Sequence, residues 1–225
     1  RKYMFKKVLV AEELDSISIA VLQVLEELQV PVIHHVKYCD EGLLKVKKAL
    51  AEKEPYDLMI TDLSFKSDHR KVTLNSGDEL VEAVNKVQPE LKKIVFSIED
   101  KSYRIKTLFN ELGINAYVTK GRNSISELRN AIESTFNNEE KILSSDLSFN
   151  FNDKALIEIE SYDISILKLL SQGYILESIS REFKDSSITP NGTSSIEKRI
   201  NKLKIYFKAN NNVHLIAIAK DFGLV

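Results

Sequence analysis

Five polar residues follow apolar runs of the kind that form buried strands. Glu12 and Glu13 come after KVLVA, Asp62 after LMIT and Lys120 after AYVT, whereas Ser97 ends the run IVFS. In an open parallel sheet, functional groups collect outside the carboxyl ends of the strands. If these runs are strands of one such sheet, three carboxylates, a hydroxyl and an ammonium group share one edge.

This set of groups matches the needs of phosphoryl transfer to a carboxylate. Such a transfer requires an exposed aspartate, a divalent cation, and further cationic and hydrogen-bonding groups for the remaining oxygens. Asp62 is the predicted acceptor, Glu12 and Glu13 are predicted ligands of Mg²⁺, and Lys120 and Ser97 would hold phosphoryl oxygens. Mg²⁺ fits because it prefers hard oxygen ligands. Taken singly, an acidic pair is often only the first turn of a helix, so the prediction depends on the ordered combination.

The first half of the chain alternates short apolar runs with longer amphipathic stretches, which indicates βαβ units and a parallel sheet. The pattern predicts an α/β domain with a doubly wound, five-stranded parallel sheet. The predicted strands are Lys7–Ala11, Val32–Val36, Leu58–Thr61, Ile94–Ser97 and Ala116–Thr119, and the helical patterns lie near 16–29, 41–53, 77–88, 101–112 and 124–136.

The second half has a different pattern, which predicts a smaller all-α domain. Residues 137–160 are acidic and polar and are predicted to be a linker, so the domains would be 1–136 and 161–225. Four short helices are expected after the linker. They are Asp163–Gln172, Ile175–Phe183, Thr193–Phe207 and His214–Phe222.

The third of these helices has the division of faces that a DNA-reading helix needs. Residues 161–225 carry 9 basic and 6 acidic side chains, although the whole chain has a net charge of -1. An apolar stripe would pack on the domain, and a polar, cationic face would remain for bases and phosphates. A solvated surface helix is the simpler alternative. The stripe is Ile196, Ile200, Leu203 and Phe207, and the predicted DNA contacts are Thr193, Ser194, Ser195, Lys198, Arg199 and Lys202.

Residues 4–136 resemble the receiver domain of response regulators, through VLVAEE, YDLMITDLS, IVFS and AYVTK. The resemblance implies the flavodoxin-like receiver fold, with Asp62 as phosphoacceptor and Glu12 and Glu13 as the metal-binding acids. It also implies the Ser64 carbonyl as a further metal ligand, Ser97 and Lys120 as phosphoryl-sensing residues, and Tyr117 as the aromatic residue that reorients with them. The chain departs from the family pattern in having two glutamates, a longer loop after Asp62, and Gly121 where proline is usual, which leaves the isomer of that peptide bond open.

Residues 161–225 resemble the LuxR/NarL-type helix-turn-helix domain, through SYDISILKLLSQGYILESISREF, SSIEKRINKLKIYF and NNNVHLIAIAKDFGLV. The resemblance implies binding to double-stranded DNA and a homodimer in the active state, with the last helix as a candidate contact. Together the two resemblances imply a two-component transcription regulator of the NarL/LuxR type, with a sensor histidine kinase as partner.

The expected function is therefore a DNA-binding response regulator, not an enzyme, controlled by phosphorylation of Asp62. The alternative is a receiver-like regulator that is controlled by protein or ligand binding without phosphate, which the two glutamates and the long loop favour. An aspartate-nucleophile phosphatase would need another acid near Asp62, and Asp62-Leu63-Ser64 lacks it. The single cysteine, Cys39, and the lack of an apolar run of about 20 residues predict a cytoplasmic protein with no membrane partner.

Overall fold

The computed structural model describes residues 4–66, 72–139, 141–145, 147 and 159–225. The chain divides into two compact units: the first comprises residues 1–100 and 105–148, and the second comprises residues 101–104 and 149–225. No helix among the described residues is long and apolar enough to cross a membrane. Most of the predicted linker, and residues 67–71 of the loop after Asp62, lie outside the described residues.

The first unit alternates strands and helices as the sequence predicts, with boundaries that differ by one or two residues at most ends. The fourth strand begins two residues earlier than expected, at Lys92. The strands are β1 (Lys7–Ala11), β2 (Val32–Val36), β3 (Leu58–Thr61), β4 (Lys92–Ser97), β5 (Ala116–Thr119) and β6 (Ile142–Leu143), and the helices are α1 (Asp15–Glu27), α2 (Cys39–Ala51), α3 (Gly77–Val87), α4 (Ser102–Asn110) and α5 (Ser124–Phe136).

The sheet is parallel throughout, with the strand order β2-β1-β3-β4-β5-β6. Helix α1 packs against α5, and α2 packs against α3. Strands β1, β3 and β4 are almost completely buried, as expected of parallel strands with helices on both faces. The predicted α/β architecture is confirmed, and β1 and β3 are neighbours at the point where the strand order reverses.

The prediction of five strands is wrong, because the chain after α5 adds a sixth. Ile142 and Leu143 pair in parallel with Ala116 and Tyr117 of β5. The sequence predicts a linker at these residues because a two-residue strand has no periodicity to detect. Tertiary pairing with an open sheet edge forms it instead.

The second unit is all-α, as predicted. It comprises α6 (Ser161–Ser171), α7 (Leu176–Asp185), α8 (Thr193–Tyr206) and α9 (Asn212–Asp221). Helix α8 buries three residues of the predicted apolar stripe, Ile196, Ile200 and Leu203, whereas Phe207, just after its end, is partly buried. Helices α6, α7 and α9 pack with α8 around one core. The core residues are Ile166, Leu167, Ile179, Phe183, Ile196, Ile200, Leu203, Leu215, Ala219 and Leu224.

Candidate functional site

The candidate site lies at the carboxyl ends of β1, β3, β4 and β5. Glu12 follows β1 and Asp62 follows β3, and these two strands are adjacent in the sheet. This is the topological switch point, where open α/β sheets bind their ligands. Both carboxylates are buried, with 3% of Glu12 and 6% of Asp62 exposed, so Asp62 is not the exposed acceptor that the sequence predicts. Two acids so deeply buried in one place require a compensating cation.

Lys120, which follows β5, supplies that cation. Its ammonium donates to Glu12 Oε2 at 2.7 Å and to Asp62 Oδ2 at 2.6 Å, and the three side chains are all at most 8% exposed. The ammonium also lies 5.6 Å from the ring centroid of Phe96. The chain thus brings together three of the predicted site residues, which are separated by 50 residues or more in sequence, in one buried ion-pair network.

The backbone around Asp62 is tightly fixed. The Leu63 amide donates to Asp62 Oδ1 at 2.6 Å, and the Thr61 hydroxyl donates to the Asp62 carbonyl at 2.8 Å. Gly77, the first residue of α3, lies against the same carbonyl: a Cβ built at this position would be 1.7 Å from the Asp62 oxygen. Only glycine fits there, so the start of α3 determines where the Asp62 backbone lies.

Two hydroxyls at the same edge of the sheet are buried without a partner. Ser97 and Thr119 are opposite each other in β4 and β5, and neither Ser97 Oγ nor Thr119 Oγ1 makes a hydrogen bond to any described residue. Ser97 has no exposed surface at all. Buried polar groups are nearly always hydrogen-bonded in folded proteins, so an unsatisfied hydroxyl at this edge is available to a ligand oxygen.

Tyr117 lies inside the first unit rather than on its surface. Its ring is fully buried, and its hydroxyl donates to the carbonyl of Glu99 at 2.7 Å. The same residue pairs through its backbone with Leu143 of β6. Tyr117 therefore connects the β5 side of the site to the extra strand.

The predicted magnesium ligands fit only in part. Glu12 and Asp62 converge, but Lys120 lies between them, and Glu13 Oε2 accepts a hydrogen bond from the Lys66 amide at 2.7 Å. Ser64 forms an isolated antiparallel bridge with Ser76. Within the described ranges, no three acidic, histidine or cysteine side chains are arranged to hold a metal ion. The hard oxygen chemistry suits Mg²⁺, whereas the arrangement shown is satisfied by an ammonium group.

The peptide bond after Lys120 has the ordinary trans configuration. Among the described residues the only cis peptide bond is Thr189–Pro190, so Lys120–Gly121 is trans.

Burial, followed by the negative charge of Asp40, raises the pKa of the Cys39 thiol to about 12. Since the thiolate is the reactive form, Cys39 is an inert core residue.

A second candidate site is the surface of α8 that faces away from the core. Five of the six residues predicted to contact DNA are exposed there: Thr193, Ser194, Ser195, Lys198 and Lys202. The helix begins after Gly192, whose carbonyl accepts from the amides of Ser195 and Ile196 at 3.0 Å each. The first turn of α8 therefore presents small hydroxyl side chains, and the next turns present lysines.

Arg199, the sixth predicted DNA contact, is directed elsewhere. Its guanidinium donates from Nε to Asp163 Oδ1 at 2.5 Å and from Nη2 to Asp163 Oδ2 at 2.6 Å. Asp163 has no exposed surface and also accepts from the Glu160 amide at 3.0 Å. The hydrogen bonds from Arg199 to Asp163 raise the pKa of the guanidinium. Arg199 thus joins α8 to the start of α6 and is only partly exposed.

Three residues of these sites were missed by the sequence analysis. Asp163 carried a signal: it precedes Ile166 and Leu167 by three and four residues, so it belongs to the buried face of α6, where an acid needs a partner. Gly77 carried none, because its contact with Asp62 is tertiary. Thr119 is an ordinary strand residue in sequence, and only the register of β4 and β5 places it opposite Ser97.

The fold defines a class: an α/β unit with the receiver fold followed by a helical unit. Solved structures of the response regulator RcsB share this fold. RcsB of Salmonella typhimurium is 16% identical with a TM-score of 0.64, covering 96% of this chain and 99% of that chain. A structure of two RcsB dimers bound to two parallel DNAs has a TM-score of 0.61 at 16% identity, covering 96% and 98%.

A third structure is RcsB of Salmonella enterica serovar Typhimurium bound to a promoter with the phosphomimetic BeF3⁻. It has a TM-score of 0.59 at 17% identity and covers 94% of this chain and 96% of that chain. No family model matches the sequence, and no curated protein matches it. The similarity between this chain and RcsB is therefore a similarity of fold.

Proposed function

We propose that this protein is a two-component response regulator in which phosphorylation of Asp62 controls DNA binding by the helical unit. The observation that carries the proposal is the buried contact of Lys120 with both Asp62 and Glu12 at the switch point of the sheet. An aspartate held this way has its acceptor oxygen beside a cation, and a buried hydroxyl without a partner, that of Ser97, lies at the same edge. The role is that of a regulator rather than an enzyme.

The residues of the site have distinct tasks in the transfer. Asp62 Oδ2 attacks the phosphorus atom of the donor, a P–O bond forms, and the bond to the leaving group breaks. The Lys120 ammonium then neutralises negative charge on the phosphoryl group, and the Ser97 hydroxyl donates to one of its oxygens. Mg²⁺ would supply further positive charge, with Glu12 and Asp62 as ligands and with Glu13 and Ser64 as the less favourably placed members of the expected set.

Movement of Lys120 and Ser97 would be transmitted along β4 and β5. The Lys120 amide donates to the Ser97 carbonyl at 2.8 Å, so the two residues are already joined through the backbone. Tyr117, three residues before Lys120, would reorient with them and change the surface near β5. Phosphorylation then shifts the population between two arrangements of this edge.

For the helical unit we infer duplex DNA as the ligand, because α8 buries one apolar face and presents a polar, cationic one. Lys198 and Lys202 would contact phosphates, and the exposed hydroxyls of the first turn lie where a recognition helix meets base edges. RcsB is described as a dimer bound to DNA. By analogy with those dimers the active form is a homodimer, and the resemblance to receiver domains implies a sensor histidine kinase as the phosphoryl donor in the cell.

The decisive test is the intact mass of the full chain after incubation with acetyl phosphate and Mg²⁺. We expect wild type to gain one phosphoryl group and Asp62→Asn to gain none. The control variant is Asp57→Asn: this aspartate precedes β3 at the opposite end of the strand, where its carboxylate holds the amides of Lys6 and Lys7. A phosphoryl group that survives in Asp62→Asn would contradict the assignment.

The alternative function is a receiver-like regulator that does not take phosphate. One observation favours it: the Lys120 ammonium lies between the two convergent carboxylates and donates to both, so it occupies the place that a metal ion bound to both would take. This alternative predicts no gain of mass under conditions that modify a control receiver, together with DNA binding that is unchanged by Asp62→Asn. Phosphate-dependent DNA binding that is lost in Asp62→Asn would exclude it.

A further inference from the structure

The face of α8 opposite its buried stripe has a definite composition. The buried residues Ile196, Ile200 and Leu203 and the partly buried Phe207 are spaced at i, i+4, i+7 and i+11. Two residues of an α-helix span about 200°, so residues two positions earlier lie on nearly the opposite side. Those residues are Ser194, Lys198, Asn201 and Ile205, and all four are exposed.

Arg199 does not belong to this face, which leaves few side chains able to distinguish bases. Its guanidinium, the group best suited to guanine, is held by the fully buried Asp163. Lysines and serines mainly hold phosphates; a lysine that reaches a base selects guanine, and a serine accepts several bases. Asn201, and Glu197 beside it, are the remaining exposed polar residues between the first turn and the end of the helix.

Glu197 has no evident structural reason to be where it is. Among the described residues it forms no ion pair, and the positions four residues away on either side are Thr193 and Asn201 rather than lysine. It also lies beyond the first turn, where the helix dipole would favour an acid. A carboxylate beside a face that approaches DNA phosphates is repelled unless it accepts a hydrogen bond from the bases.

From these observations we propose that Glu197 and Asn201 determine the sequence preference of the protein, with Glu197 selecting cytosine and Asn201 selecting adenine. Glutamate accepts from the cytosine N4 amino group, which is the only amino donor that a G·C pair offers in the major groove. Asparagine donates to adenine N7 and accepts from adenine N6. The inference rests on the proposed DNA binding and adds to it the residues that read the bases.

The spacing of the two residues supports adjacent readout. Glu197 and Asn201 are four residues apart, about 6 Å along the helix axis and on neighbouring parts of its surface. Base pairs are stacked about 3.4 Å apart along the duplex. Two side chains this close together reach bases of the same half-site, so we expect the selected cytosine and adenine to lie close together within it.

The test is selection of binding sequences from a pool of random DNA duplexes by the full-length protein, repeated with Glu197→Gln and Asn201→Ala. We expect wild type to enrich sites with one cytosine and one adenine at fixed spacing. Glu197→Gln should lose about tenfold discrimination at the cytosine alone, and Asn201→Ala a similar amount at the adenine alone. Affinity of Glu197→Gln for random duplex should rise, because one repulsive charge is removed.

The matched control is Glu182→Gln, which makes the same chemical change at an exposed acid on the preceding helix α7. It should leave the selected sequence unchanged. If wild type and Glu197→Gln select the same cytosine equally strongly, the inference is wrong while DNA binding stands. If wild type binds no duplex at all, with or without acetyl phosphate and Mg²⁺, the proposed DNA binding is wrong and the inference falls with it.

Discussion

Asp163 and Arg199 form a two-point ion pair that ties α8 to the start of α6. The carboxylate is fully buried, and both of its oxygens accept from the guanidinium, at 2.5 and 2.6 Å. Planar, forked donors match a carboxylate in a way that an ammonium cannot. Arg199, which the sequence predicts to be a DNA contact, thus stabilises the helical core.

Arg199→Ala should destabilise the helical unit by about 3 kcal/mol, because it leaves a buried carboxylate without its cation. Arg199→Lys should restore little of the loss, since lysine cannot form the fork. The measurement is urea unfolding followed by circular dichroism. Lys198→Ala, in the same helix, is the control and should leave the unfolding free energy within about 0.5 kcal/mol of wild type. Equal effects of Arg199→Ala and Lys198→Ala would show that the ion pair contributes nothing.

Gly77→Ala should displace the backbone of Asp62, since the new Cβ would be 1.7 Å from its carbonyl oxygen. We expect a loss of at least about 2 kcal/mol of stability and slower phosphorylation by acetyl phosphate. Gly192→Ala is the matched control because the nearest atom to a Cβ there is Ser195 Oγ at 3.9 Å, and its cost should stay below about 1 kcal/mol. Unfolding curves and intact mass give the two readouts. Wild-type phosphorylation kinetics in Gly77→Ala would contradict the contact.

Lys120→Met should leave Glu12 and Asp62 facing each other without a cation. Removing one partner of a buried ion pair costs about 3 kcal/mol or more, and we expect MgCl2 to recover part of the loss by supplying the missing positive charge. The readout is the melting temperature of each variant with and without MgCl2. Lys86→Met breaks an exposed pair with Glu82, should cost less than about 1 kcal/mol, and should not respond to MgCl2. No stabilisation of Lys120→Met by Mg²⁺ would show that these carboxylates do not bind the ion.

Glu127→Ala should loosen strand β6. Burial raises the pKa of Glu127, but hydrogen bonds from Ser144 and Ser145 outweigh it, so the net pKa is lowered. A group with a lowered folded-state pKa stabilises the fold above its ordinary pKa and loses that effect as the pH falls through its folded value. We therefore expect weaker protection from hydrogen exchange, measured against the intrinsic exchange rate at each pH, at the amides of Ile142 and Ser144 in Glu127→Ala, and in wild type below about pH 4.5. Glu111→Ala, an exposed acid, should change neither.

The contacts of Glu127 with Ser144 and Ser145 also explain why the sequence does not predict strand β6. Ser144 Oγ accepts from the Thr119 amide at 2.9 Å and donates to Glu127, which attaches residues after β6 to β5 and α5 at once. Serines in a polar, acidic stretch predict a linker in sequence. They become part of a sheet only when a strand edge and a carboxylate are brought within reach.

Local pattern was sufficient for the strands β1 to β5, the helices and the apolar stripe of α8, because burial imposes a period of two or 3.6 residues that the sequence must carry. The sequence also predicts that Glu12, Asp62 and Lys120 converge, because parallel strands place their carboxyl ends at one edge of the sheet. Tertiary structure alone decided which partner each polar group takes. In the folded chain Lys120 pairs with two carboxylates, Arg199 pairs with Asp163, and Gly77 contacts Asp62. These choices depend on angstrom-scale distances between residues far apart in sequence, which side-chain type and periodicity do not encode.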